Sequence, residues 1–164
     1  MNLRIASGIT SDSIVDGPGL RAVIWCQGCF HNCPGCHNPQ THSPEGGRLV
    51  AAAEVIEKIS ALKIHQGITF SGGEPFLQAT ALVPIAEAAH RRGLDVWSYS
   101  GYTFEELLQD PRPGCVELLR NIDVLVDGRF IAELRDLSLR FRGSSNQRII
   151  DVPASLAAGR AIEI

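Results

Sequence analysis

The chain has 164 residues, 45% of them apolar and 20% charged, with a formal net charge of −3. That length suits one domain, read here as a single domain over 1–164, and the composition excludes disordered and fibrous chains. The acidic balance argues against a nucleic-acid partner, no apolar run approaches the ~18 residues of a membrane span, and the opening lacks a secretory core, so a cytoplasmic protein with no membrane partner is expected.

Hydrophobic periodicity predicts alternating strands and helices. Arg21 to Trp25 reads as a strand running straight into a cysteine-rich loop. Val50 to Leu62 follows as a helix, with Val55, Ile56, Ile59 and Leu62 on one face. Gly67 to Phe70 is a short strand ending in Ser71-Gly72-Gly73-Glu74-Pro75. A second helix is predicted from about Thr80 to Arg92, where Pro84 implies a late start or a kink. Leu94 to Tyr99 is the next strand, followed by a helix capped by Thr103, with Glu106 completing a capping box. A short helix over Cys115 to Arg120 and strands at Ile122 to Val126 and Gln147 to Val152 complete the pattern.

This alternation predicts an α/β fold: a partial, open (βα) barrel of about five to six mainly parallel strands. The predicted strand ends carry the unusual residues, namely Cys26–Cys36, Ser71–Pro75, Ser98–Gly101 and Asp127–Gly128. Parallel α/β folds bind ligands at the carboxyl ends of their strands, so these segments are expected to meet.

Four of the five cysteines, Cys26, Cys29, Cys33 and Cys36, fall within eleven residues, with His31, His37 and His42 in or just after them. Without an export signal, such a cluster points to metal rather than disulfides. Cys29-x3-Cys33-x2-Cys36 places three thiolates on one short loop, enough for three corners of a [4Fe–4S] cube with one iron left open. Adding Cys26 gives a four-cysteine zinc reading, although only three residues separate Cys29 from Cys33, a short gap for paired zinc ligands. Cys26 and Cys115 read otherwise as small buried apolar residues.

Together with Gly72-Gly73-Glu74-Pro75, the loop resembles the radical S-adenosylmethionine enzymes. Val15-Asp16-Gly17-Pro18-Gly19-Leu20-Arg21 and Cys36-His37-Asn38 resemble the corresponding segments of glycyl-radical-enzyme activases. Ser98 to Tyr102, Asp123 to Phe130 and Arg142 to Arg148 are similar to the branch that activates anaerobic ribonucleotide reductases. The resemblance runs over about residues 8–152. Two departures stand out: Gly35 replaces the aromatic residue many relatives carry before the third cysteine, as in the reductase-activating branch, and Cys26 is extra to the pattern.

The resemblance implies a radical S-adenosylmethionine oxidoreductase. Its cluster would be held by Cys29, Cys33 and Cys36. The open iron would take the methionyl amino and carboxylate groups, and reductive cleavage would give methionine and a 5′-deoxyadenosyl radical. That radical would remove a hydrogen from a glycine Cα of the anaerobic ribonucleotide reductase large subunit. An unidentified low-potential electron donor such as flavodoxin would supply the electron. S-adenosylmethionine contacts are expected at Gly35, Cys36, His37, Gly72, Gly73, Glu74 and Ser98, with Ser100 a further candidate, and no catalytic side chain is assigned.

Each role has a plainer counterpart. The glycine pair also marks a tight turn, Glu74 also suits a helix N-terminus, and Ser98 and Ser100 also suit turn capping. His37 also reads as a packing residue. Asp16, Asp127 and Arg148 could face the cofactor or the glycine loop, and Arg148 equally a solvated surface. The Arg-rich stretch from Arg129 to Arg148 is a solvated face or a docking face. The alternatives carried are an activase of another glycyl radical enzyme, a small-molecule enzyme such as 7-carboxy-7-deazaguanine synthase, and a zinc or iron–sulfur binding module.

Overall fold

The computed structural model describes residues 1–164. Eight strands form one sheet: β1 (Asn2–Ile5), β2 (Thr10–Ser13), β3 (Arg21–Cys26), β4 (Arg48–Ala51), β5 (Gly67–Gly72), β6 (Asp95–Ser100), β7 (Val124–Asp127) and β8 (Arg148–Asp151). Their order is β4-β1-β3-β5-β6-β7-β8, and β2 pairs with β3 beside β1. The helices are α1 (Ala52–Ser60), α2 (Ala79–Arg91), α3 (Phe104–Leu108), α4 (Cys115–Arg120) and α5 (Val152–Ala158). No helix is long and apolar enough to cross a membrane.

The centre of the sheet is parallel, β3 to β5 to β6 to β7, as the strand–helix alternation predicts. The rest departs from the expectation of about five to six mainly parallel strands. Antiparallel strands flank the centre on both sides, and the sheet ends at β4 and β8 without closing. Their signals are weak for physical reasons. Thr-Ser-Asp-Ser in β2 has no apolar alternation, and β1 and β4 have only four residues each. The predicted first helix begins two residues late because Val50 pairs with Leu3 across β1 and β4.

Pro84 lies inside α2 without delaying its start at Ala79. Helix α5 is missing from the sequence reading, though Asp151 caps it by accepting from Ala154 N at 3.0 Å and Pro153 stands in its first turn.

Strand side chains alternate between two faces. Ala22, Ile24 and Cys26 of β3, Ile68 and Phe70 of β5, Val96 of β6 and Leu125 of β7 enter one apolar core with Val55, Ile59, Leu82, Ile85 and Leu118 of the helices. The opposite face carries Arg21, Trp25, Ser71, Trp97 and Tyr99, and there the segment after β7 crosses instead of a helix. Phe141, at φ +63°, lays its ring against Trp97 with centroids 5.3 Å apart. This division leaves one face of the sheet available to a ligand.

Candidate functional site

The cysteine loop leaves the end of β3. Cys26 still belongs to the strand and is fully buried in the core, and that burial drives its thiol well above the ordinary range. Cys115 is buried too, donates from Sγ to the Phe76 carbonyl at 3.4 Å, and is pushed up to about 11 mainly by burial. Cys29, Cys33 and Cys36 are half-buried and line a common cavity of about 120 Å³. Partial burial raises the Cys29 thiol.

Backbone bonds anchor the loop at its ends. Gly28 N donates to Thr41 O at 2.7 Å and Cys29 N to His42 O at 3.0 Å. Asn38 N donates to Cys36 Sγ at 3.4 Å. Gly35, at φ +75°, forms the exposed crest of the turn before Cys36. No three His, Cys, Asp or Glu side chains converge as a single-ion site requires. The three thiols instead share the wall of one cavity, a donor set suited to a multi-iron cluster.

Strand β5 ends in the Gly72-Gly73-Glu74-Pro75 turn, packed directly against the loop. At Gly72, φ is +94° and a Cβ would stand 2.5 Å from the Cys26 carbonyl oxygen. At Gly73 a Cβ would overlap the Gly28 carbonyl oxygen. The pair is therefore required by the crossing of two backbones, pinned by Gly73 N to Cys26 O at 2.7 Å and Glu74 N to Gly28 O at 2.8 Å. Gly72 and Gly73 both line the thiol cavity.

Glu74 is only 1% exposed, and its carboxylate is used by the protein itself. Oε1 accepts from Gly101 N at 2.8 Å and meets His31 Nε2 at 2.7 Å. Oε2 accepts from Phe76 N at 3.0 Å, and Ser100 Oγ reaches both oxygens at 3.0 Å. One carboxylate thus ties the cysteine loop, the β5 turn and the end of β6 together.

The register of β6 separates its candidates. Ser98 is fully buried on the helix side and donates to Tyr99 O at 3.1 Å, lining neither cavity. Tyr99 faces the other way and lines both. Burial raises its phenol well above the ordinary range, with Asp16 adding to the shift. Asp127 is also turned inward, accepting from Phe104 N at 2.7 Å and pairing with Arg148 at 2.6 Å. Arg148 pairs in addition with Glu105 at 2.6 Å, so neither residue faces the cavities.

Beside the thiol cavity runs a larger groove of about 480 Å³, and the two share Cys36, Gly72, Tyr99, Phe130 and Gln147. His37 borders the groove with its ring 5.0 Å from that of Phe130. Asp16 closes one side, held by Ser13 Oγ at 2.6 Å, while its carbonyl accepts from Thr69 Oγ1 at 2.7 Å. Beneath it Arg21, fully buried, donates to Thr69 Oγ1 at 2.9 Å and Pro18 O at 3.0 Å and pairs with Asp95. Cys29, Cys33, Cys36, His37, Gly72 and Gly73 are thus brought together, whereas Gly35, Ser98 and the Glu74 carboxylate line neither cavity. His31, Tyr99, Gly101, Phe130 and Gln147 are additions, each inside a segment that sequence reading singled out without giving that residue a role.

Comparison with known proteins agrees with this geometry. The family described as a 4Fe-4S single cluster domain matches residues 15–150. The anaerobic ribonucleoside-triphosphate reductase-activating protein of Escherichia coli K12 is 37% identical over 143 residues, 82% of this chain and 90% of that protein. Its counterpart in Haemophilus influenzae is 37% identical over 144 residues, 83% of this chain and 90% of the relative. The one from Enterobacteria phage T4 is 35% identical over 142 residues, covering 82% and 86%. A crystal structure of QueE from Escherichia coli superposes with TM-score 0.51 and 16% identity over 63% of this chain and 54% of that one, a likeness of fold.

Proposed function

The chain belongs to the family of anaerobic ribonucleoside-triphosphate reductase-activating proteins, and from that premise we propose that it installs a glycyl radical on the anaerobic reductase. The observation that carries this reading is the meeting of the Cys29, Cys33 and Cys36 thiols with the Gly72–Gly73 turn at the mouth of an open groove. Cys29, Cys33 and Cys36 hold a [4Fe–4S] cluster, and the open sheet is read as a partial barrel within one domain. Once bound there, the cluster would supply the electron for reductive cleavage of S-adenosylmethionine to methionine and a 5′-deoxyadenosyl group that would leave with the glycine hydrogen as 5′-deoxyadenosine.

The chain's own residues bind, orient and exclude. The Gly72 and Gly73 backbone offers peptide groups to the methionyl end beside Cys36. Tyr99 and Phe130, which border both cavities, separate the reacting end from solvent. Gln147 borders both cavities, and His37 borders the groove alone. Glu74 holds the three motifs in register instead of meeting the cofactor. The groove, bordered by loops and open to solvent, suits a peptide segment of a protein substrate. An electron donor of low potential, such as a flavodoxin, completes the cytoplasmic system.

Anaerobic reconstitution with iron and sulfide tests the reading. Reduced protein given S-adenosylmethionine is expected to release methionine and 5′-deoxyadenosine in equal amounts, and Cys33→Ala to release neither. A colourless protein that takes up zinc in place of iron would overturn it.

A further inference from the structure

Residues 30–35 carry the second proposed cluster ligand, yet apart from the turn bond from Cys36 N to Cys33 O at 3.1 Å a single hydrogen bond ties them to the rest of the protein, from the His31 side chain. That ring is 7% exposed and seated on three sides. Nε2 lies 2.7 Å from Glu74 Oε1. The Tyr102 ring packs edge-on with centroids 4.6 Å apart, and the Arg112 guanidinium lies 4.7 Å over the same tyrosine ring. Below is Gly101, where a Cβ would stand 2.5 Å from the imidazole Cδ2. Gly101 is not at positive φ, so its lack of a side chain serves the space the imidazole fills.

We infer that His31 is a positioning residue: the Glu74, Gly101 and Tyr102 seat locks its imidazole and thereby sets the Cys29–Cys36 span before any metal arrives. The inference rests on the reading of that span as the cluster holder. The imidazole also borders the thiol cavity, but its Nε2 is engaged by Glu74, itself buried and otherwise satisfied, so the role assigned is holding the loop and not contacting the cofactor. Without this contact the loop keeps only its end anchors, and the thiolates must be gathered against the entropy of the free span.

A mutant cycle on the full chain tests it. His31→Ala and Gly101→Ala should each speed anaerobic iron loss to a chelator about tenfold, the equivalent of one charge-assisted hydrogen bond. The double variant should lose iron no faster than His31→Ala, because the added methyl fills space the ring has left. His31→Gln, which keeps an N–H for Glu74, should recover most of the retention. Hydrogen exchange on the cluster-free protein should show the bonded amides that border the span, Cys29 N to His42 O and Cys36 N to Cys33 O, opening faster in both single variants. Unchanged iron loss and exchange in His31→Ala, or additive losses in the double variant, would overturn the inference. Failure of the unmodified chain to take up iron would instead overturn the functional reading, with hydrogen exchange still deciding whether the seat exists.

Discussion

Glu74→Gln separates an organising glutamate from one that grips the cofactor. The two carboxylate oxygens accept from different backbone groups, Gly101 N at 2.8 Å and Phe76 N at 3.0 Å. An amide in either orientation turns its NH2 toward one of those N–H groups. One charge-assisted bond is lost and two buried donors are left facing each other, together worth about 3 kcal/mol. For a chain of this length that lowers the melting temperature by roughly 10 °C. The assay is urea and thermal unfolding of the cluster-free protein, paired with S-adenosylmethionine binding to the reconstituted protein at a temperature where both variants are folded. The expected result is a large stability loss, with binding weakened only as far as iron content falls. Unchanged stability combined with weakened binding at full iron content would refute the reasoning and return Glu74 to the methionyl ammonium.

Other outcomes follow from the same geometry. Cys29→Ala, Cys33→Ala and Cys36→Ala should each abolish iron retention, while Cys26→Ala and Cys115→Ala keep it; iron loss from Cys26→Ala alone would place the wrong thiols at the cluster. Iodoacetamide at pH 8 should label the three loop thiols of the folded cluster-free protein and spare Cys26 and Cys115, whose burial both shields them and raises their pKa. Gly72→Ala forces a side chain onto φ +94° and against the Cys26 carbonyl, and should cost about 2 kcal/mol or more by chemical denaturation. Arg148→Met leaves Asp127, only 1% exposed, without its cation and should cost about 3 kcal/mol. Hydrogen bonding to Arg148 also holds Glu105 below the ordinary glutamate range. The stability Glu105 lends is therefore complete at neutral pH and lost as pH falls through its folded pKa, so stability against pH should flatten on the acid side in Arg148→Met.

The parallel centre and the convergence of its strand ends were legible because β3, β5 and β6 are rich in β-branched and aromatic residues and stop at chemically unusual ones. The cysteine spacing and the glycine pair were legible for the same reason. What escaped depends on orientation or on long-range pairing. Ser98 and Tyr99 differ by one position in β6, and one position is enough to exchange the helix side for the ligand side. Glu74 looks free in the sequence because its partner His31 is 43 residues away and becomes a neighbour only when β3 and β5 pair. The antiparallel β1, β2 and β4 owe their place to tertiary pairing, with β2 almost wholly polar. Asp127 and Arg148, each readable as a site residue, satisfy each other instead.

Electron paramagnetic resonance on an anaerobic mixture tests the central claim most directly. The mixture holds the iron-reconstituted protein, a strong reductant, S-adenosylmethionine and the anaerobic ribonucleotide reductase large subunit from the same organism. The predicted result is a stable glycine-centred doublet that requires S-adenosylmethionine and vanishes with Cys33→Ala. Release of 5′-deoxyadenosine without that doublet, from a mixture in which the reductase is intact, would contradict the assignment of its glycine as the target.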